Sequence, residues 1–271
     1  MSRNNYSIRI PHESIEELKD FFTQKGLERR EVKNTLWSYK GDNLFVNMYP
    51  SGVLLIQGSN TEEWVEDIVN FIKLPEGPLA GCDEVGKGDI FGPLVLCCAV
   101  IPPENFREVL KLCPKDSKNM KDSEIIKKAG KLSRLVNYKC INLMPERFNQ
   151  LYDKYKNINR LMDDAYRKLI ETLQQEHKPL RIVVDKYSPT NPFQDMNNLV
   201  FMEKGEKDIA VSVASIIARS KFLRKIRELE EIHGIPIPRG ASGNAKGYAK
   251  EILKTKAGLA EKVIKTSFIQ S

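Results

Sequence analysis

Three short apolar runs constrain the fold of this chain most strongly. They are LAGCDEV at residues 79–85, LVLCCAVI at residues 94–101 and LRIVVD at residues 180–185. Runs of this length and composition are typical of strands buried on both faces of a sheet. Longer segments with helical periodicity separate or follow them, among them a stretch from Ile209 to Gly234. This alternation predicts an α/β domain with a mixed sheet flanked by helices.

The first 72 residues follow a different and more compact pattern. Strand-like segments at residues 6–10, 32–40, 43–49 and 52–58 are combined with two helix-like segments, in the order β-α-β-β-β-α. Capping boxes at Ser14–Glu17 and Asn60–Glu63 predict where the helices begin. The segment KLPEGP then has the composition of a linker. We therefore expect a small α+β domain at residues 1–72, a linker at 73–78 and a larger domain at 79–271.

Charge and cysteine content limit the class of protein. The 271 residues carry a net charge of +7, and residues 219–271 contain 12 Lys or Arg against 5 Glu, whereas residues 1–72 contain 8 basic and 11 acidic residues. A basic C-terminal third suits an anionic partner, although a solvated helix surface gives the same count. The five cysteines have no metal-binding spacing, which favours reduced thiols. No signal peptide or membrane span is evident, so we expect a cytoplasmic protein without a membrane partner.

The loop after the first apolar run could hold either a nucleotide or metal ions. GCDEVGKGD, residues 81–89, nearly fits the phosphate-binding pattern G-x-x-x-x-G-K. That pattern needs Ser or Thr where this chain has Gly88, and it needs a following helix where this chain has Pro93 and a β-like run. Two acidic residues within the loop would also repel a phosphate. The sequence therefore disfavours a nucleotide-dependent switch.

Acidic residues at strand ends favour the metal site. Asp83 and Asp185 each follow an apolar strand, and Glu206 lies between LVFM and the long helix. Parallel strands would bring them to one carboxyl edge of the sheet. Asp83 and Glu84 can share this site only if the strand deforms, since adjacent residues face opposite sides. Carboxylates without thiol or imidazole neighbours favour Mg²⁺ or Mn²⁺. Solvated turn residues remain the alternative for each carboxylate.

At these residues the sequence resembles bacterial ribonuclease HIII, a branch of the type 2 ribonucleases H. The segment DEVGKGDIFGPL carries the resemblance most specifically, and the match extends from about Leu79 to the C-terminus. Shorter matching blocks, in chain order, are DSKNM at 116–120, VVD at 183–185, ASIIAR at 214–219, RGAS at 239–242 and, more weakly, KTSF at 265–268. The resemblance implies a ribonuclease H-like mixed sheet flanked by helices, preceded by a small α+β TBP-like substrate-binding domain.

The resemblance also implies catalytic and metal-binding positions. These are Asp83, Glu84, Asp185 and Glu206. The last depends on a one-residue gap, because an ungapped alignment places Gly205 there, and Asp208 and Glu203 remain alternatives. Two divalent ions, Mg²⁺ or Mn²⁺, would then be used to hydrolyse the RNA strand of an RNA–DNA hybrid, leaving 3′-hydroxyl and 5′-phosphate ends. Asp83 would bridge the two ions.

Further positions would contact the nucleic acid. Gly86, Lys87 and Gly88 resemble the family loop that approaches ribose 2′-hydroxyls, and Lys118 would approach a phosphate. A tight turn and an ordinary surface lysine are the respective alternatives. Aromatic residues on the N-terminal strands, namely Trp37, Tyr39 and Tyr49, could form a flat platform for the hybrid with Arg29, Arg30 and Lys33 nearby, or could pack in the core.

Two other functions stay open at this point. The first is ribonuclease HII-like cleavage at single ribonucleotides embedded in DNA. The second is a non-catalytic hybrid-binding protein that uses the basic C-terminal face. A monomer is expected in each case.

Overall fold

The computed structural model describes residues 4–112 and 120–269. Its first part is an antiparallel five-stranded sheet in the order β1-β5-β4-β3-β2, with two helices packed on one face. The elements are β1 (Asn4–Arg9), α1 (Glu17–Gln24), β2 (Glu28–Arg30), β3 (Trp37–Gly41), β4 (Leu44–Met48), β5 (Val53–Gly58) and α2 (Thr61–Phe71).

Local details of this unit differ from the sequence prediction. Neither expected capping box forms, because α1 begins only at Glu17, after a 3-10 turn, and Asn60 adopts a left-handed φ of 52° with no side-chain cap. The strand expected from residue 32 begins at Trp37. Asn34 has a φ of 64°, which breaks the extended backbone before that point.

The aromatic residues of β3 pack inside the N-terminal unit. Trp37 and Tyr39 are 3% and 4% exposed, and both rings lie within 6 Å of the Phe22 ring on α1. Of the two alternatives for these residues, the core is therefore confirmed. They cannot form a platform for a ligand.

The second part is a mixed five-stranded sheet in the order β10-β9-β6-β7-β8. Strands β10, β9 and β6 are parallel, and β6, β7 and β8 are antiparallel. The strands are β6 (Leu79–Val85), β7 (Leu94–Ile101), β8 (Asn137–Leu143), β9 (Arg181–Asp185) and β10 (Leu199–Met202); the helices are α3 (Phe106–Leu112), α4 (Asp122–Leu132), α5 (Pro145–Tyr155), α6 (Ile158–His177), α7 (Ile209–His233), α8 (Gly243–Thr255) and α9 (Ala257–Val263).

Helices cover both faces of this sheet. Helix α7 packs on β6 and β7 from one side, and α6 packs on β7 and β8 from the other. Asp208 caps α7 by accepting hydrogen bonds from the backbone N–H groups of Ala210 and Val211, and Gly234 ends the helix with a φ of 63°. The expected mixed sheet flanked by helices, preceded by a small α+β unit, is confirmed.

Within residues 4–112 and 120–269, the two units contact each other near α3 and near the start of α7. Near α3, the Tyr6 hydroxyl donates to the Lys111 carbonyl at 2.8 Å, and Arg107 Nε donates to the Val69 carbonyl at 3.2 Å. Near the start of α7, the buried Arg9 donates through Nη1 to the Lys207 carbonyl at 3.4 Å. Residues 73–78 form neither helix nor strand. The domain boundaries themselves stay a prediction.

Four cysteines differ from the expectation of reduced thiols. Cys82 faces Cys98 across β6 and β7, and Cys97 faces Cys140 across β7 and β8. Both pairs are joined as disulfides, with Cα atoms 4.1 Å apart in each. Directly opposed residues of antiparallel strands come this close, which the sequence spacing alone did not reveal. Across residues 4–112 and 120–269, no helix is both long and apolar enough to span a membrane.

Candidate active site

The register of the central strands brings Asp83 and Asp185 side by side. Strand β9 pairs in parallel with β6 as far as Val184 opposite Cys82, and the next residue on each strand is an aspartate. Neighbouring strands lie about 4.8 Å apart. The two carboxylates are close enough for Asp185 to contribute to the raised pKa of Asp83. The expected meeting of the two strand ends at one edge of the sheet is therefore found.

The Asp83 carboxyl group is held on the α7 side of the sheet. Its Oδ1 accepts a hydrogen bond from the Glu84 backbone N–H at 2.8 Å, and its side chain is also hydrogen-bonded to Ser215. Burial, followed by repulsion from Glu84, raises the pKa of Asp83 to about 8, and the bond to Ser215 opposes that rise. A nearby cation would stabilise the ionised form of a carboxyl group in this environment.

Glu84 lies on the opposite side of the sheet. Its Oε2 accepts a hydrogen bond at 2.8 Å from the hydroxyl of Tyr166, a fully buried residue of α6. Burial raises the pKa of Glu84 to about 7, while the bond from Tyr166 lowers it. Strand β6 continues regularly through this pair, with Glu84 opposite Leu96. The expected deformation of the strand at Asp83 and Glu84 is therefore absent, because the ladder to β7 is unbroken.

The turn that contains Glu206 is hydrogen-bonded to Asp185. The Gly205 backbone N–H donates to Asp185 Oδ1 at 2.7 Å. A β-carbon at Gly205 would lie 2.8 Å from the Asp185 Cα and 3.0 Å from Oδ1, so a glycine is required for this approach. Glu206 is the next residue and lies in the 3-10 turn at Gly205–Lys207. Ser212 supports the turn by donating to the Glu206 carbonyl at 2.8 Å.

The two alternatives to Glu206 have other partners. Asp208 caps α7 and forms an ion pair with Arg181 at 2.5 Å. Glu203 is exposed and forms an ion pair with Lys186 at 2.6 Å. Both carboxylates are therefore paired with a basic side chain.

The donor set fits a hard divalent cation in its chemistry. In the described part of the chain, no three His, Cys, Asp or Glu side chains are arranged closely enough to hold a metal ion by themselves. The carboxylate of Glu84 is instead hydrogen-bonded to Tyr166. Glu84 and Asp185 nevertheless both raise the pKa of Asp83, and Asp185 raises the pKa of Glu84, so a cation would relieve that repulsion. Oxygen donors without thiolate or imidazole favour Mg²⁺ or Mn²⁺.

The glycine-rich loop lies next to these carboxylates. Gly86 has a φ of 87°, and a β-carbon there would lie 2.2 Å from the Pro93 carbonyl oxygen. Gly88 is exposed, and a β-carbon there would meet nothing within 4 Å. Lys87 donates to the Tyr187 carbonyl and lies over the Tyr187 ring at 5.5 Å. Lys118 falls outside the described residues.

The sequence did not single out three of the contributing residues. Ser215 lies in the ASIIAR block, which marks the segment but not the residue. Tyr166 is one apolar position among several on the face of α6, and only the packing of α6 directs its hydroxyl to Glu84. Gly205 was considered only as an alignment alternative to Glu206, and its contact with Asp185 depends on the tertiary fold.

Comparisons with known proteins identify relatives of this chain in sequence and in fold. The family model for ribonuclease HII matches residues 80–271. A ribonuclease HIII of Aquifex aeolicus is 39% identical over 246 residues, covering 91% of this chain and 94% of that protein. The crystal structure of Aquifex aeolicus RNase H3, also 39% identical, superimposes with a TM-score of 0.64 over 97% of this chain and all of that chain. Bst-RNase HIII in complex with Mn²⁺ shares the fold, with 21% identity, a TM-score of 0.67 and coverage of 97% of this chain and 95% of that one.

Proposed function

Because the chain belongs to the type 2 ribonuclease H family, in its ribonuclease HIII branch, and is an endoribonuclease, we propose that it hydrolyses the RNA strand of RNA–DNA hybrids. The products would carry 3′-hydroxyl and 5′-phosphate ends, and the enzyme would act as a monomer. The observation that carries this proposal is the adjacent placement of Asp83 and Asp185 at the ends of two parallel strands, within the family's own motifs.

Asp83 and Asp185 would hold divalent cations, Mg²⁺ or Mn²⁺, between themselves and the scissile phosphate. Bound cations would offset the negative charge of the phosphate and lower the pKa of the attacking water. Asp83 is suited to a bridging position, because its hydrogen bonds to the Glu84 N–H and to Ser215 fix the carboxyl group at the sheet edge. The Gly205 N–H fixes Asp185 in the same way.

Glu84 and Glu206 would complete the set of metal-binding carboxylates. Tyr166 holds Glu84 in place, and its phenol stays protonated because burial raises its pKa well above the usual value. Glu206 follows Gly205 in the turn that is hydrogen-bonded to Asp185, which supports a position for Glu206 near the same edge of the sheet. Since these side chains alone do not form a closed cage, oxygens of the bound phosphate would supply remaining ligands.

The loop at Gly86, Lys87 and Gly88 would lie against the RNA strand. Gly88 leaves open space, which allows a ribose to approach the backbone closely, and contacts to the 2′-hydroxyl distinguish RNA from DNA. Lys87 is tied to Tyr187, two residues after Asp185, so this loop and the metal-binding edge are held together. Lys118 would add a phosphate contact from the segment before α4.

A cleavage gel with a continuous RNA–DNA hybrid tests this proposal. We expect cleavage with Mg²⁺ or Mn²⁺ and none with EDTA. Asp185→Asn should abolish cleavage and keep hybrid binding, and Glu206→Gln should reduce the rate strongly. Glu203→Gln is the matched control, because its carboxylate is exposed and paired with Lys186. Full activity in Asp185→Asn would refute the proposal.

A second substrate separates this activity from its nearest alternative. A DNA duplex with one embedded ribonucleotide is the substrate of the ribonuclease HII-like reaction, and that family's model matches the larger unit. We expect strong preference for the continuous hybrid. Equal or faster cleavage of the embedded ribonucleotide would favour the alternative instead.

A further inference from the structure

The side chain of Tyr187 packs beside the candidate active site, two residues after Asp185 in the chain. It is 9% exposed and belongs to the core on the α6 side of the larger sheet. Its ring stacks on Tyr166 with the ring centroids 5.2 Å apart, and it meets Phe201 of β10 edge-on at 5.3 Å. Aromatic pairs prefer these two arrangements, so the packing restricts the orientation of the Tyr187 ring.

A carboxylate of α6 binds the hydroxyl of this ring. Tyr187 Oη donates a hydrogen bond to Asp163 Oδ1 at 2.6 Å, and Asp163 is half-buried. Asp163 and Tyr166 are three residues apart on α6, so their side chains lie on the same face of the helix. This face of α6 therefore provides the hydrogen-bond partners of both Tyr187 and Glu84.

Lys87 connects the glycine-rich loop to Tyr187. Its ammonium donates to the Tyr187 carbonyl and lies over the Tyr187 ring at 5.5 Å. Burial lowers the pKa of Lys87, and the carboxylates of Glu84 and Asp163 raise it, which shows that both are close to the ammonium. A single residue thus holds Lys87 through a hydrogen bond and a cation–π contact.

We infer that Asp163 and Tyr187 form a positioning pair for Lys87. Asp163 fixes the Tyr187 ring through its hydroxyl, and the ring and carbonyl of Tyr187 fix the Lys87 ammonium. The inference rests on the proposed function for the role of the glycine-rich loop, which lies against the ribose of the RNA strand. The pair itself does not touch the substrate. It acts by setting the position of Lys87 relative to the carboxylates.

A second group of the same composition provides a matched control. Tyr155 at the end of α5 donates through Oη to Asp164 Oδ2 at 2.5 Å, and Lys154 lies over the Tyr155 ring at 5.6 Å. Asp164 is exposed and is the next residue after Asp163. Asp164→Ala therefore removes the same kind of hydrogen bond at the neighbouring position of α6 without affecting Lys87.

Amine labelling measures the position of Lys87 without substrate or metal ion. The protein is treated with a low dose of acetic anhydride, and mass spectrometry of its peptides gives the acetylation rate of each lysine. Asp163→Asn and Asp163→Ala both remove the charge, but only the asparagine keeps an acceptor for Tyr187 Oη. We expect Lys87 to react about fivefold faster in Asp163→Ala than in Asp163→Asn, because its contacts open more often. Equal rates in these two variants would overturn the inference.

A double-mutant cycle tests whether Asp163 acts through Lys87 in the reaction. With saturating enzyme, Asp163→Ala should cleave a continuous hybrid about tenfold more slowly than Asp164→Ala in a single turnover. In a Lys87→Ala background, Asp163→Ala should change this rate by less than about twofold, because the group that it positions is gone. A merely structural effect of Asp163 would persist there, and a tenfold loss in that background would contradict the inference.

The two measurements separate this inference from the proposed function. If the wild type does not cleave the hybrid, the proposed function fails, and the labelling of Lys87 still decides whether the pair positions it. If the hybrid is cleaved at the same rate by Asp163→Ala and Asp164→Ala, the reaction does not need the positioning pair, and the inference fails on its own.

Discussion

A lysine buried against the segment between the glycine-rich loop and β7 makes the stability of the protein depend on pH. Lys265 has no exposed surface, and its ammonium donates to the carbonyls of Phe91 and Gly92 at 3.3 and 2.7 Å. Burial lowers the pKa of Lys265 from 10.5 to about 7, and the nearby Asp89 opposes this shift. The folded protein therefore binds this proton more weakly than the unfolded chain does.

The sign of the effect follows from the two pKa values. Between pH 7 and pH 10.5 the unfolded chain holds the proton on Lys265 and the folded protein does not. The contribution of Lys265 to the free energy of unfolding is therefore fully present above pH 10.5. It is lost as the pH falls through about 7. Each pH unit inside this window changes the free energy of unfolding by about 1.4 kcal/mol.

The variant Lys265→Met removes this dependence. We expect the stability of wild type relative to the variant to increase by about 2 kcal/mol from pH 7 to pH 9, because pH 7 lies at the midpoint of the folded-state titration. For a chain of this size, that corresponds to a relative change in Tm of about 4–8 °C. Loss of two hydrogen bonds to backbone carbonyls adds a cost of about 1 kcal/mol each at every pH.

Urea denaturation followed by far-UV circular dichroism measures both proteins at the two pH values. Tryptophan fluorescence is unsuitable, since Trp37 and Trp64 both lie in the N-terminal unit. Lys262→Met is the matched control, because Lys262 is exposed on the preceding helix. A stability difference between wild type and Lys265→Met that stays constant from pH 7 to pH 9 would refute the reasoning.

Four further perturbations test the site and the residues that support it. Tyr166→Phe removes the donor to Glu84 and should lower the single-turnover cleavage rate about tenfold, and it should lower the free energy of unfolding by about 1–3 kcal/mol because a buried acceptor loses its partner. Gly205→Ala forces the turn away from Asp185 and should lower kcat about 10- to 100-fold; an unchanged kcat would show that the close approach is unimportant. Arg9→Met should accelerate hydrogen exchange at the contact between the two units without unfolding either sheet. Mg²⁺ at a hundred times its Kd should raise the stability of wild type by about 2.7 kcal/mol, and EDTA should reverse the gain; an equal gain in Asp185→Asn would place the ion elsewhere.

The parts of the fold that local sequence determines were predictable. The apolar runs at β6, β7 and β9 gave correct strands, because residues buried on both faces leave few alternatives. Gly234 marked the end of α7, since a left-handed residue there favours glycine. The capping boxes failed where the chain needed a 3-10 turn and a left-handed Asn60 instead. The backbone conformation at these two helix starts depends on how the helices pack against the sheet.

Part of the candidate site could likewise be predicted from the sequence, and part of it could not. Asp83 and Asp185 could be predicted to meet because both follow buried strands, and strand ends share an edge. The partner of Asp208 could not be predicted from the sequence, because its ion pair with Arg181 depends on the tertiary fold. The position of Glu84 against Tyr166 also required the structure, since adjacent residues of a regular strand face opposite sides.

Helix α7 connects most of these features as one uninterrupted element from Ile209 to His233. An insertion or deletion of a single residue within it would turn everything downstream by about 100° and shift it by about 1.5 Å. If the change fell between Ser215 and Ser220, the contact with Asp83 would survive while the basic residues beyond it swung away from β8. The length of this segment is consequently under tighter restriction than the identity of most of its side chains.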